Sequence, residues 1–102
     1  MNTNGVEIID RVLIKYVGSD SEVVIDSDIL SIADNAFSKN EFVETVEFQS
    51  PSLRTIGKEA FSGCKKLHEA RFRAIKGGIG MSAFEGCAHL QSFIIPNGAR
   101  WL

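Results

Sequence analysis

Long apolar segments are missing from this chain of 102 residues. Apolar runs such as Val12-Leu13-Ile14 and Phe93-Ile94-Ile95 are three residues long, whereas a helix needs about 20 residues to cross a bilayer. The polar start, residues 1–5, also lacks the basic and apolar regions of a signal peptide. The sequence therefore predicts no membrane insertion and shows no secretion signal.

A repeated apolar skeleton takes the place of long apolar runs. Its period is in the twenties, which is typical of solenoids in which each unit buries its apolar face against its neighbours. A shift of 24 residues places Ile56, Ala60, Phe61, Cys64 and Leu67 on Ile32, Ala36, Phe37, Asn40 and Val43, and a shift of 23 residues places them on Ile79, Ala83, Phe84, Cys87 and Leu90.

Each unit is expected to begin with a short strand and to continue through a turn of helix or 3₁₀ helix, at residues 32–42 in the first unit. Period-2 alternation within the strands predicts an inward set that packs with a ladder of Phe37, Phe61 and Phe84. The inward strand residues are Val46, Phe48, Ala70, Phe72, Phe93 and Ile95.

Residues 6–25 do not fit the repeat and are predicted to form strands. Two short β patterns flank Asp10-Arg11, and Gly18 to Ser21 carries turn residues. The predicted fold is therefore a repeat solenoid, mainly β with short helical turns, of one sheet, with an N-terminal β-hairpin cap at 1–22. The coils are placed at 23–45, 46–69 and 70–92, here called coils 1, 2 and 3, with a partial coil at 93–102.

The repeat resembles the BspA-like leucine-rich repeat family. The resemblance covers residues 22–102 and rests on recurring Ala-Phe with Cys or Asn and Leu at fixed offsets, as in the motif Ile56-Gly-Lys-Glu-Ala-Phe-Ser-Gly-Cys-Lys-Lys-Leu67. It implies a leucine-rich-repeat fold, a cell-surface or secreted protein, a protein partner such as a host matrix component or a surface protein, and no enzymatic activity.

Residues able to carry chemistry are few. The two Cys and two His equal the count of a zinc site, but no C-x2-C pair is present, and His68 and His89 fall at different repeat positions. Lys76-Gly-Gly-Ile-Gly80 lacks phosphate-loop spacing. Cys64 and Cys87 lie at equivalent places of successive coils, within reach of a disulfide, although buried free thiols are the favoured interpretation. We expect no metal, no cofactor and no catalytic residues.

Charge is unevenly distributed along the chain. Residues 1–51 carry ten acidic and three basic side chains, whereas residues 52–102 carry three acidic and eight basic ones. This difference is either drift in composition or a gradient that orients a partner or head-to-tail stacking. The basic cluster of the second half lacks outward aromatic residues for base stacking, so we expect no nucleic-acid partner.

Outward strand residues form the predicted binding strip on the concave face. Glu47 and Arg71 would be lateral neighbours, either as an exposed ion pair or as part of a binding surface. The strip consists of Glu47, Gln49, Arg71, Arg73 and Ile94.

The last residues form a second candidate surface. Leu102 falls at the repeat position of Ile79, so the fourth coil stops before its Ala-Phe. Phe93, Pro96, Trp101 and Leu102 would lie near an incompletely covered end suited to end-to-end self-association.

Two functions remain: a non-enzymatic protein-interaction or adhesion module, and a structural N-terminal segment of a longer array.

Overall fold

A computed structural model describes residues 5–94, without the side chain of Ile94. Three predicted residues of the C-terminal end, Pro96, Trp101 and Leu102, and the inward Ile95 lie outside the described residues. Within residues 5–94 there are eight strands: β1 (Val6–Ile9), β2 (Val12–Tyr16), β3 (Glu22–Ile25), β4 (Ser31–Ile32), β5 (Thr45–Phe48), β6 (Thr55–Ile56), β7 (Glu69–Phe72) and β8 (Ser92–Ile94).

The strands form two four-stranded sheets, so the expectation of one sheet is wrong. One sheet has the order β1-β2-β4-β6 and the other has the order β3-β5-β7-β8. The short second strands of coils 1 and 2, Ser31–Ile32 and Thr55–Ile56, were missed because two residues are too few to show an alternating pattern. These pairs are strands because neighbouring coils supply the hydrogen-bond partners.

The N-terminal cap is a β-hairpin, as predicted. Ile9 pairs with Val12 across Asp10-Arg11, and both loop residues have positive φ, 51° and 65°, as two-residue hairpin turns require. Strand β2 then pairs parallel with β4, where Leu13 lies beside Ile32. The hairpin therefore covers the first coil on this side of the solenoid. The boundaries between cap and coils stay a prediction.

The inward strand residues are in register through the β3-β5-β7-β8 sheet. Val46 lies beside Ala70, and Phe48 lies beside Phe72. All four of these residues are at most 1% exposed, and Phe93 is half-buried beside Ala70. The predicted alternation is confirmed for the described positions.

Two aromatic stacks fill the space between the sheets. Tyr16, Phe37, Phe61 and Phe84 stack with ring centroids 5.2, 4.7 and 5.0 Å apart. The second stack contains Phe48, Phe72 and Phe93, and its rings meet the first stack edge to face, as between Phe48 and Phe61 at 6.1 Å. The phenylalanine ladder was predicted, whereas Tyr16 as its first ring was not.

The predicted helical turns are not observed in residues 5–94, where the crossing segments are successive turns. In coil 1, Ala36 N–H donates to Ala33 O, while Phe37 N–H donates to Ala60 O of coil 2. Local and inter-coil bonds alternate in this way along the segment. Asn35 and Lys39 have positive φ, 61° and 63°, which interrupts any helical run.

Candidate functional site

The outward residues of the β3-β5-β7-β8 sheet form one exposed face. Side chains alternate along a strand, so the residues between the buried inward ones point outward. Because neighbouring strands are in register, these outward residues form three parallel rows across the strands. We call this set the sheet face; within the strands it contains Glu22, Val24, Thr45, Glu47, Glu69 and Arg71, and directly after the strands Asp26, Gln49 and Arg73.

Glu47 and Arg71 are lateral neighbours, as predicted, but they do not form an ion pair. Arg71 bonds Glu69 of its own strand, with 2.9 Å between Nη2 and Oε2. Gln49 Nε2 donates to Glu47 Oε2 at 3.1 Å. Both contacts join residues two apart on one strand, which share a face. The arrangement leaves Glu47 without a cationic partner among the residues of known placement.

Gln49 and Arg73 continue the rows beyond the strand ends. Their backbone N–H groups donate to Ile25 O and Phe48 O, each at 2.9 Å, so the ladder extends by one residue. Both side chains are exposed, and the Arg73 guanidinium has no ion-pair partner in residues 5–94. Ile94 pairs with Arg71 through its backbone.

The sheet face carries the charge difference seen between the chain halves. Acidic Glu22 and Asp26 lie on the β3 side, and Arg71 and Arg73 lie on the β7 side. Between them is a depression of about 250 Å³ lined by β3, β5 and β7, including Thr45. A partner segment that crosses the strands would therefore meet negative charge first and positive charge last.

Sequence reasoning missed the first row of this face. Glu22, Thr45 and Glu69 are in lateral register, but the predicted strands began one residue later. The period-2 pattern could have identified two of them, because Thr45 and Glu69 lie two residues before the predicted outward residues Glu47 and Arg71.

A second depression, of about 340 Å³, lies where the turns lead back into the strands. It is lined by Glu44, Lys66, His68, His89 and Gln91. His89 Nδ1 lies 2.9 Å from Lys65 O, and all five lining side chains are exposed. Across residues 5–94, no group of three or more His, Cys, Asp or Glu is placed to hold a metal ion.

The cysteines lie away from both depressions, in the turns. Cys64 Sγ donates to Phe37 O and Cys87 Sγ to Phe61 O, each at 3.1 Å. Both are free thiols. Asn40, at the same position in coil 1, accepts hydrogen bonds from Phe42 and Val43 N–H instead. Each residue type thus satisfies a different set of backbone groups.

Buried Ser50 was also missed by the sequence analysis. Its Oγ lies 2.6 Å from Ile29 O and 2.9 Å from Asp28 Oδ1, and Asp28 in turn bonds Arg11 at 2.8 Å. This cluster joins the cap, coil 1 and coil 2.

No helix within the described part of the chain is both long and apolar enough to span a membrane.

Stacked parallel strands, inter-coil turn bonds and an exposed sheet face define a repeat solenoid. A family model of the BspA type leucine rich repeat region, in six copies, matches residues 4–101. The chain therefore belongs to the BspA-type leucine-rich repeat family. No curated protein and no solved structure matches it. Repeats of this class are generally protein-interaction modules and are typically non-enzymatic.

Proposed function

We propose that this domain is a non-enzymatic adhesion module that binds a protein partner through the sheet face. The observation that carries the proposal is the ordered set of polar side chains along three rows of one rigid sheet. Neither Glu47 nor Arg73 forms an ion pair within residues 5–94. Charged side chains without an ion-pair partner, beside a depression, favour a partner of complementary charge.

Polar rather than apolar contacts are expected to dominate this interface. Val24 is the one exposed large apolar side chain among the described residues of the face. Charged rows of this kind steer encounter and select partners more than they add affinity. The expected partner segment carries cations toward Glu22 and acidic groups toward Arg73. Matrix and cell-surface proteins are the class we expect to supply it.

Binding to a panel of purified extracellular matrix proteins tests this proposal. The double variant Arg71→Glu/Arg73→Glu reverses the basic side of the face, and we expect its affinity for any bound panel member to fall roughly tenfold or more. The matched control is Arg54→Glu/Lys58→Glu, which makes the same charge change at two exposed residues away from the sheet face.

Circular dichroism must show that both double variants are folded. Equal loss of affinity in both would indicate net charge rather than the sheet face. Unchanged binding by the folded Arg71/Arg73 variant would exclude the face as the site, and a panel in which no protein binds would contradict the adhesion function.

A second candidate function, a structural segment of a longer array, is favoured by the turn side of coil 3. In coil 2, the N–H groups of Glu59, Phe61 and Gly63 donate to carbonyl oxygens of coil 3, with N···O distances of 3.1, 2.7 and 2.7 Å. The equivalent donors of coil 3 are Ser82, Phe84 and Gly86, and none of them has an acceptor within residues 5–94.

The direction of these bonds selects the element that could pair with coil 3. All donors face one end, so two copies joined through their coil 3 ends would place N–H groups against N–H groups. Pairing of coil 3 with the N-terminal end of a second copy is hindered, because Ala36 O of coil 1 already accepts a hydrogen bond from Tyr16 N–H of the cap. A further repeat coil with free carbonyl groups therefore fits these donors best, and end-to-end self-association through the predicted residues stays a prediction.

Amide hydrogen exchange distinguishes this second candidate. In the present chain, Phe84 N–H should exchange much faster than Phe61 N–H. Appending one more repeat should slow exchange at Phe84 if coil 3 docks further coils. Unchanged fast exchange at Phe84 in a folded extended protein would exclude the array function.

A further inference from the structure

The turns that carry the two cysteines are held close together. Gly63 and Gly86 directly precede them, and Gly63 N–H donates to Glu85 O at 2.7 Å. On the other side, Gln91 N–H donates to His68 O at 3.0 Å. Inter-coil hydrogen bonds on both sides therefore fix the spacing between Cys64 and Cys87. Backbone segments joined by such hydrogen bonds lie roughly 5 Å apart, which falls within the Cα range of a disulfide.

The Cys87 side chain points toward coil 2. Cys87 Sγ donates back to Phe61 O of coil 2, the coil that holds Cys64. The Cys87 side chain is thereby turned toward the neighbouring cysteine rather than away from it. A Cβ added at Gly86 would lie 3.3 Å from Gly63 N, so the backbones approach closely beside the two thiols. Cys64 Sγ instead donates to Phe37 O of coil 1, so the Cys64 side chain must turn toward coil 3 for the two sulfur atoms to join.

We propose that Cys64 and Cys87 form a peroxide-sensitive thiol pair that closes into a disulfide between coils 2 and 3. The two residues differ in access: Cys64 is fully buried, whereas Cys87 is partly exposed. An oxidant from solution therefore reaches Cys87 first, and Cys64 is the resolving thiol.

The thiol pair also differs in acidity. The adjacent Cys64, through its side chain first and then its backbone, lowers the pKa of the Cys87 thiol. Hydrogen bonding to Cys87, together with burial, raises the pKa of the Cys64 thiol. Since the thiolate is the nucleophile, this difference agrees with the order that access imposes.

The reaction balances with one hydrogen peroxide. Cys87 thiolate attacks one peroxide oxygen, the O–O bond breaks, and the departing hydroxide takes a proton and leaves as water. The product is Cys87 sulfenic acid. Cys64 Sγ then attacks Cys87 Sγ, the S–O bond breaks, and the hydroxide combines with the Cys64 proton as a second water. The two sulfur atoms together lose two electrons, which reduce the peroxide.

The disulfide would link coil 3, which is partly exposed, covalently to coil 2, which is better buried. The linked cysteines enclose the turn and strand of coil 3, and a loop of this size gives a disulfide its usual stabilising effect. Coil 3 amides such as Ala83 and Glu85 should then exchange roughly tenfold or more slowly in the oxidised protein. Coil 1 amides should change little.

Intact mass spectrometry of the reduced full chain treated with equimolar hydrogen peroxide tests the proposal. We expect a monomer lighter by about 2 Da, the two hydrogens lost in disulfide formation, and a protease fragment that links residues 64 and 87. A chain that only gains oxygen, or that cross-links only between molecules, would overturn the proposal.

Single variants test the order of attack. Cys64→Ser should leave sulfenic acid at Cys87, which a cyclic 1,3-diketone traps, whereas Cys87→Ser should label many-fold more slowly because Cys64 is buried. The reverse order of labelling in folded variants would contradict the assigned roles. If a variant does not fold, the wild-type mass and the hydrogen exchange of oxidised and reduced chain decide the proposal.

Discussion

Coils 2 and 3 have the same apolar skeleton but differ in burial. Phe61 is fully buried between the rings of Phe37 and Phe84, whereas Phe84 is only partly buried. Strand β6 pairs with β4 over two residues, but the equivalent Ile79 of coil 3 makes a single bridge to Ile56. Burial in this solenoid is therefore supplied by the neighbouring coil rather than by the motif itself.

The two phenylalanines should differ most when truncated. Phe61→Ala removes a ring that contacts both stacks, so we expect it to destabilise the protein by about 3–5 kcal/mol. Phe84→Ala should cost about 1–2 kcal/mol, because a partly exposed ring loses less burial and leaves a smaller cavity. Urea denaturation of both variants measures the difference. Equal losses would mean that coil 3 is as well packed as coil 2.

Close approach between coils can be tested at a pair of glycines. A Cβ at Gly57 would lie 2.5 Å from Asp34 N, whereas nothing lies within 4 Å of one at Gly78. Gly57→Ala should therefore cost about 1–3 kcal/mol, as overpacked sites do, and Gly78→Ala should be nearly neutral. Thermal unfolding compares them. A neutral Gly57→Ala would show that coils 1 and 2 separate easily.

The smallest effect is expected at the cap, where Arg11 forms an ion pair with Asp28 of coil 1. The hydrogen bond from Ser50, with further contributions from Ser52 and Arg11, lowers the pKa of Asp28 below its ordinary 3.8. A lowered folded-state pKa stabilises the protein above 3.8, and this contribution is lost as pH falls through the folded-state value.

Unfolding of wild type and Asp28→Asn across pH measures this contribution. Wild type should be slightly more stable near neutral pH, and the difference should shrink as pH falls below 3.8. A difference that stays constant at acidic pH would attribute the effect to lost packing or hydrogen bonding rather than to ionisation.

Several features of this protein follow from sequence alone. The repeat period, the inward set such as Phe48 and Phe72, the phenylalanine ladder and the hairpin at Asp10-Arg11 were predicted from alternation, spacing and turn residues. These features are local or strictly periodic, so short-range patterns determine them. The lateral position of Glu47 beside Arg71 followed from the same periodicity.

Tertiary structure decided the features that need a neighbouring coil. The second sheet consists partly of two-residue strands, which exist only because parallel coils supply hydrogen-bond partners. The crossing segments are turns rather than helices, because every second N–H, as at Phe37, donates to the next coil instead of within its own. Arg71 forms its ion pair with Glu69 rather than with Glu47, because side-chain geometry, and not strand register, determines which carboxylate lies within reach.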